Sequence, residues 1–338
     1  MPKIDRSRAF DVARALAALF IVGFHHVLDY SPFLKARVNL VLDEGVKIGC
    51  LSFFFFCSSY LVSRRTEIRR FGDAVRFWKR RCIRLLPLYL LALFSFSRPF
   101  HLTVLSVFGL NNFVSGIDGH NIATLWFVSQ LILYYFLYPF LRAINRTSVL
   151  AAVCLLLEIL FWRGSVLWGW DHRLWLYFPL YATGVLAAGW SERTLAAVSF
   201  PLGVGFIALA GFGLLLAFPA ATAFCGCGLV FAFSVLLAKA KPIAPFFGAV
   251  SYASMCAYLF HRKEYHRLIS GLVRYSGPAI QNRPEFLFWM YLLFVPVVFV
   301  SGWLVQRAYD FLVKKVDVRA RAFHAGIQEE TEPPATSR

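Results

Sequence analysis

The stretch Phe10-Asp11-Val12-Ala13-Arg14-Ala15-Leu16-Ala17-Ala18-Leu19-Phe20-Ile21-Val22-Gly23-Phe24-His25-His26-Val27-Leu28-Asp29-Tyr30 decides the fold. It has the length of the roughly 20 apolar residues that cross a bilayer as one helix. Ten residues separate Arg14 from His25, and none of them is charged. On an ideal helix, steps of about 100° bring His25 roughly 20° past three full turns from Arg14. Both side chains then leave one face, about 16 Å apart along the axis. A guanidinium and an imidazole are costly inside a membrane, and such groups commonly mark a pathway or site. The alternative is an Arg14 that reaches the headgroups and a His25 hydrogen-bonded within a bundle.

The rest of the chain repeats the apolar pattern. Of 338 residues, 59% are hydrophobic and 17% aromatic, well above the roughly 45–50% apolar content of soluble domains. The expectation is an all-α, polytopic transmembrane bundle of about ten helices over residues 1–310. After Phe10–Tyr30 come Ile48–Val62, Leu88–Phe96, Thr124–Leu141, Val149–Trp162, Leu174–Gly189, Val198–Phe218, Ala221–Ala238, Phe246–Phe260 and Phe286–Val305. Residues 97–122 are less regular, and part of that segment is expected to re-enter the membrane. Residues 311–338 read as a basic-then-acidic cytoplasmic tail, expected to be disordered. The first span has an arginine in its apolar region and no small-residue cleavage site, unlike a removable signal peptide.

The net charge of +17 would suggest nucleic acid in a soluble protein. Here the cations gather beside apolar spans, the signature of cytoplasmic loops, so the partner is the lipid bilayer and no nucleic acid is expected. The densest cluster is Arg64, Arg65, Arg69, Arg70, Arg76, Lys79, Arg80, Arg81 and Arg84. Interleaved with Phe71, Phe77, Trp78 and Ile83, it suits an amphipathic helix on the inner leaflet. Ten spans with basic inner loops place both termini in the cytoplasm and the protein in the cytoplasmic (inner) membrane. The segment from His261 to Glu285 breaks this pattern, because it is basic yet would be external. Either it faces an anionic substrate or the helix count is off by one. Seven cysteines without framework spacing read as buried thiols, no metal is called for, and no internal repeat suggests an inverted-repeat transporter.

Imidazole is the common general base near neutral pH, and guanidinium groups suit phosphate. Arg81 and Arg84, three residues apart, share a helix face.

These residues carry a resemblance. Asp11-Val12-Ala13-Arg14 through His25 resembles the opening Asp-x-x-Arg and the Arg-x10-His signature of the membrane acyltransferase 3 family, integral-membrane O-acyltransferases of bacterial glycans. Phe55-Phe56-Cys57-Ser58-Ser59-Tyr60-Leu61, Arg80-Arg81-Cys82-Ile83-Arg84 with Pro87, Leu125-Trp126-Phe127-Val128-Ser129-Gln130, and Tyr258-Leu259-Phe260-His261 are similar to its later blocks, in order. Ser59 replaces a usual glycine, Gln130 a frequent glutamate, and Arg262-Lys263 a usual x-Pro. The resemblance implies acyl-CoA, expected to be acetyl-CoA, as a cytoplasmic donor substrate. It further implies a saccharide or lipid-linked glycan as acceptor across the membrane. It assigns His25 and Asp11 to catalysis, with Asp11 pairing or orienting Arg14. Arg14, Arg80, Arg81 and Arg84 would hold coenzyme A, with Trp126 and Tyr135 lining its tunnel. His26, about 100° from His25 on a helix, is expected to be structural. A separate extracytoplasmic partner protein could complete the transfer. A glycan transporter or flippase, or a non-catalytic member, is the alternative.

Overall fold

In lipid an apolar run has no water for its peptide groups, so it closes its hydrogen bonds along the chain as a helix. The computed structural model describes residues 8–96, 100–108, 110–113 and 125–331, and every regular element in them is helical. The ten longest helices are α1 (Arg8–Gly23), α2 (Leu40–Arg65), α3 (Phe71–Ser95), α4 (Trp126–Arg142), α5 (Thr147–Trp168), α6 (Arg173–Leu186), α7 (Glu192–Gly211), α8 (Pro219–Leu237), α9 (Ala244–Ser276) and α10 (Val295–Thr331). Among the described residues, seven helices are long and apolar enough to cross a membrane. The remaining three, α3, α4 and α6, are shorter or more charged and pack among them. Each expected span therefore overlaps a helix of a membrane bundle, but several boundaries move.

One shift concerns α2. Expected to begin at Ile48, it begins at Leu40, because the Asn39 side chain caps it by accepting from the Val41 and Leu42 N–H groups, each at 3.1 Å. Asp43, Glu44 and Lys47, read as loop residues, are helical. The basic segment and the span after it fuse into the single helix α3. Asp73 caps its start by accepting from the Arg69 and Arg70 N–H groups, and the helix runs straight through Pro87. Likewise α9 continues past Phe260 to Ser276, so most of the expected external loop is helix. Its 33 residues make about 50 Å at 1.5 Å each, far beyond a hydrocarbon core of about 30 Å. The extension is held by buried Tyr265 and Ile269, and the Tyr265 hydroxyl donates to the Val22 carbonyl at 3.0 Å. Gly277, at φ 78°, ends the helix. A π-helical turn (Met290–Phe294) leads into α10 (Val295–Thr331). Arg98, Pro99, Asp118 and His120 of the segment 97–122 lie outside the described residues.

Close helix contacts fix α2 against its neighbours. A methyl built on Gly49 would lie 2.7 Å from the Gly226 Cα of α8, and one on Gly184 of α6 would lie 2.6 Å from the Phe56 carbonyl oxygen. Small residues allow such approach where apolar lipid gives no hydrophobic drive. With this face packed, the other face of α2 turns to the interior. Of the seven cysteines, Cys82 is exposed and Cys225 partly so; the other five are buried as expected.

Candidate active site

Along α2, Glu44, Lys47, Leu51, Phe54, Ser58, Leu61 and Arg65 follow one another at steps of three and four, the spacing of a single helix face. This stripe covers about 32 Å at 1.5 Å per residue, the depth of a bilayer core. It walls two cavities. One, the arginine cavity, is lined by Asp11 and Arg14 of α1, Ser58 and Arg65 of α2, Arg81 and Arg84 of α3, and Tyr135 of α4. Ser251, Tyr252 and Tyr258 of α9 and Asp310 of α10 complete that cavity. The other, the histidine cavity, is lined by His25, Glu44, Lys47, Trp126, His172, Arg173, Tyr177, Tyr258 and Arg262.

His25 does not stand on the ideal helix that the spacing supposes. The α-helix ends at Gly23, Phe24 leaves helical geometry at φ −125° and ψ −66°, and His25–Asp29 forms a 3-10 turn. What orients the imidazole is a carboxylate that the sequence reading passed over. His25 Nδ1 lies 2.7 Å from Asp43 Oδ2. Asp43 is 6% exposed. In the tautomer whose Nδ1–H donates to the carboxylate, Nε2 keeps its lone pair. An imidazole paired with an orienting carboxylate in this way can activate a hydroxyl group for acyl transfer. The spacing of Asp43, Lys47 and Leu51 at i, i+4 and i+8 is the signal that places Asp43 on a helix.

Asp11, expected to pair with or orient Arg14, lines the arginine cavity. It pairs with Arg14 and accepts from Ser251 Oγ at 3.2 Å. It holds Arg14, and the carboxylate beside His25 is that of Asp43. Arg14, Arg81 and Arg84 line one cavity, joined by Arg65 of the basic cluster. Arg81 lies over the Tyr135 ring at 4.9 Å. Arg80 is exposed and lines neither cavity. Trp126, expected with the arginines, stands in the histidine cavity, covered by the Arg173 guanidinium at 4.1 Å. His26 is packed as expected, stacked on His261 at 4.4 Å.

The electrostatics of the two cavities differ. In the histidine cavity each cation has an acid: Lys47 with Glu44 at 2.5 Å, Arg173 with Asp171 at 2.7 Å, and Arg262 with Asp29 at 2.9 Å. In the arginine cavity Arg14 alone is ion-paired among the described residues. Asp310 there is occupied by the Tyr252 hydroxyl at 2.6 Å and the Gln306 amide at 2.9 Å. Arg65, Arg81 and Arg84 remain without a carboxylate among the described residues. Unpaired guanidinium groups around an open cavity suit a polyanion.

Gln130 is fully buried, and its Nε2 donates to the Arg173 carbonyl at 2.7 Å and the Tyr134 hydroxyl at 2.5 Å. It ties α4 to the start of α6 and touches neither cavity.

Residues 7–307 match a family model described as an acyltransferase domain. No curated protein and no solved structure matches the chain.

Proposed function

This chain belongs to the acyltransferase 3 family and is a multi-pass membrane acyltransferase. From that premise we propose that it carries an acetyl group from acyl-CoA, bound from the cytoplasm, to a hydroxyl of a cell-surface or lipid-linked saccharide beyond the inner membrane. The observation that carries the reading is the pair of cavities on one stripe of α2. One has three arginines without acids, and the other has an imidazole braced by a buried carboxylate.

The basic run Arg64, Arg65, Arg69, Arg70, Arg76, Lys79 and Arg80 flanks the arginine end, which supports a cytoplasmic orientation for that end and for both termini. Arg65, Arg81 and Arg84, with Arg14 held by Asp11, bind the phosphates of coenzyme A. The pantetheine arm then points along α2 toward His25. There His25 Nε2 takes the proton of the acceptor hydroxyl while Asp43 steadies the imidazolium. The oxygen attacks the thioester carbonyl, and the tetrahedral intermediate expels the coenzyme A thiolate. That sulfur takes the proton back from His25, so an ester and a free thiol leave and the histidine is unchanged. Trp126, Trp175 and Tyr177 give the acceptor an aromatic wall.

The carboxylate that Gln130 lacks is not missed in this scheme, since Asp43 supplies one on His25. That favours an enzyme over a non-catalytic member. The reading is tested by mass spectrometry of cell-envelope glycans from strains with and without the gene. A loss of one acetyl mass per modified sugar on deletion is expected, and identical spectra would refute it.

A further inference from the structure

We propose that Leu51 and Tyr258 form a neck between the cavities that selects the acyl group by its width. It admits a short unbranched chain and turns back a branched or aryl one. This rests on the donor and acceptor assignment above and adds the residues that set acyl specificity.

Among the described residues, Leu51 and Tyr258 line both cavities, and every other lining residue belongs to one alone. Toward the arginine side the walls carry Arg14, Arg81 and Arg84, and toward the histidine side they carry Lys47, Arg173 and Arg262. Between them the path is apolar. Leu51 is 3% exposed, and the Tyr258 ring is braced edge-on by Phe127 at 5.4 Å, itself braced by Phe54 at 5.9 Å. A charged phosphate would lose its hydration there with nothing to replace it, so it stays with the arginines. An acyl thioester is uncharged and can enter.

The acyl group leads the thioester sulfur toward His25, so it must pass the neck before transfer. Side chains fill that neck, and a close-packed wall yields to a guest only by shifting rotamers. A wider acyl group forces a larger shift. Discrimination of about 10–200-fold per methylene is what an apolar wall can give.

The test uses inside-out membrane vesicles from cells expressing the full chain, supplied with acetyl-CoA or isobutyryl-CoA labelled in the acyl group. Base-labile label in envelope material is counted, and CoA-induced thermal stabilisation of the purified protein reports binding separately. Leu51→Ala should raise the isobutyryl-to-acetyl ratio by about tenfold or more. Leu51→Phe should cut acetyl transfer while the CoA stabilisation persists. If Leu51→Ala does not fold, Leu51→Val gives the same readout through loss of one methylene. An unchanged ratio in a folded, CoA-stabilised variant overturns the neck and leaves the acyltransfer reading standing. A wild-type protein that neither binds CoA nor transfers label overturns both.

Discussion

Replacing Asp43 by asparagine removes one negative charge and keeps the shape of the site. In the native protein, Asp43 Oδ2 lies 2.7 Å from His25 Nδ1 and is nearly inaccessible to solvent. When His25 takes the acceptor proton, its positive charge is centred roughly 4 Å from the carboxylate. At an effective dielectric constant of about 20, that attraction is about 4 kcal/mol. At about 1.36 kcal/mol per decade of rate, Asp43→Asn should slow transfer about a thousandfold. The loss should fall on kcat. KM for acetyl-CoA should change little, because Asp43 lies at the histidine end and the arginines at the other. Steady-state transfer of labelled acetyl in membrane vesicles measures both, and Asp43→Glu should recover part of the rate. A folded Asp43→Asn protein within threefold of wild-type kcat would refute the role given to the pair. Equal loss from Asp43→Glu and Asp43→Asn, with KM raised in both, would mean that Asp43 merely holds the fold.

Arg81→Ala and Arg84→Ala should each raise KM for acetyl-CoA about tenfold or more, since a charge-assisted hydrogen bond contributes about 1.5–3 kcal/mol. Coenzyme A lacking the 3′-phosphate should lose less affinity in these variants than the complete molecule does. Gly49→Val should destabilise the bundle by about 2 kcal/mol or more, because its Cβ meets the Gly226 backbone; thermal unfolding of the purified protein measures it. Gln130→Glu should lower the melting temperature, because an ionised carboxylate cannot donate to the Arg173 carbonyl as the Gln130 amide does.

The bundle was legible because ten apolar runs of near-spanning length leave few other folds. The helix ends were less so. Asn39 caps α2 eight residues before its apolar run begins, so polar residues that look like a loop are helical. The Pro87 signal suggested a start, yet a proline inside a helix costs one hydrogen bond, and the packed faces on either side outweigh it. On α9 the basic residues after Phe260 hid a helix whose buried Tyr265 and Ile269 are sparse in the sequence. For the site, the arginine set was visible because guanidinium groups are rare at membrane depth. Asp43 was not, since its partner His25 lies eighteen residues away and the contact depends on the break at Phe24. The Asp11–Arg14 pair was legible, because one helical turn separates the two residues. Trp126 and Tyr135 differ by nine positions on α4 and so by about two and a half turns, which puts them in different cavities.

The central claim is that His25 performs acyl transfer on a donor held by the arginine cavity. Acetyl transfer from labelled acetyl-CoA into base-labile envelope material, compared between wild type and His25→Ala in inside-out vesicles, tests it most directly. His25→Ala should lose transfer to background, with thermal stabilisation by CoA kept at the wild-type level. Transfer by a folded His25→Ala protein at the wild-type rate would contradict it.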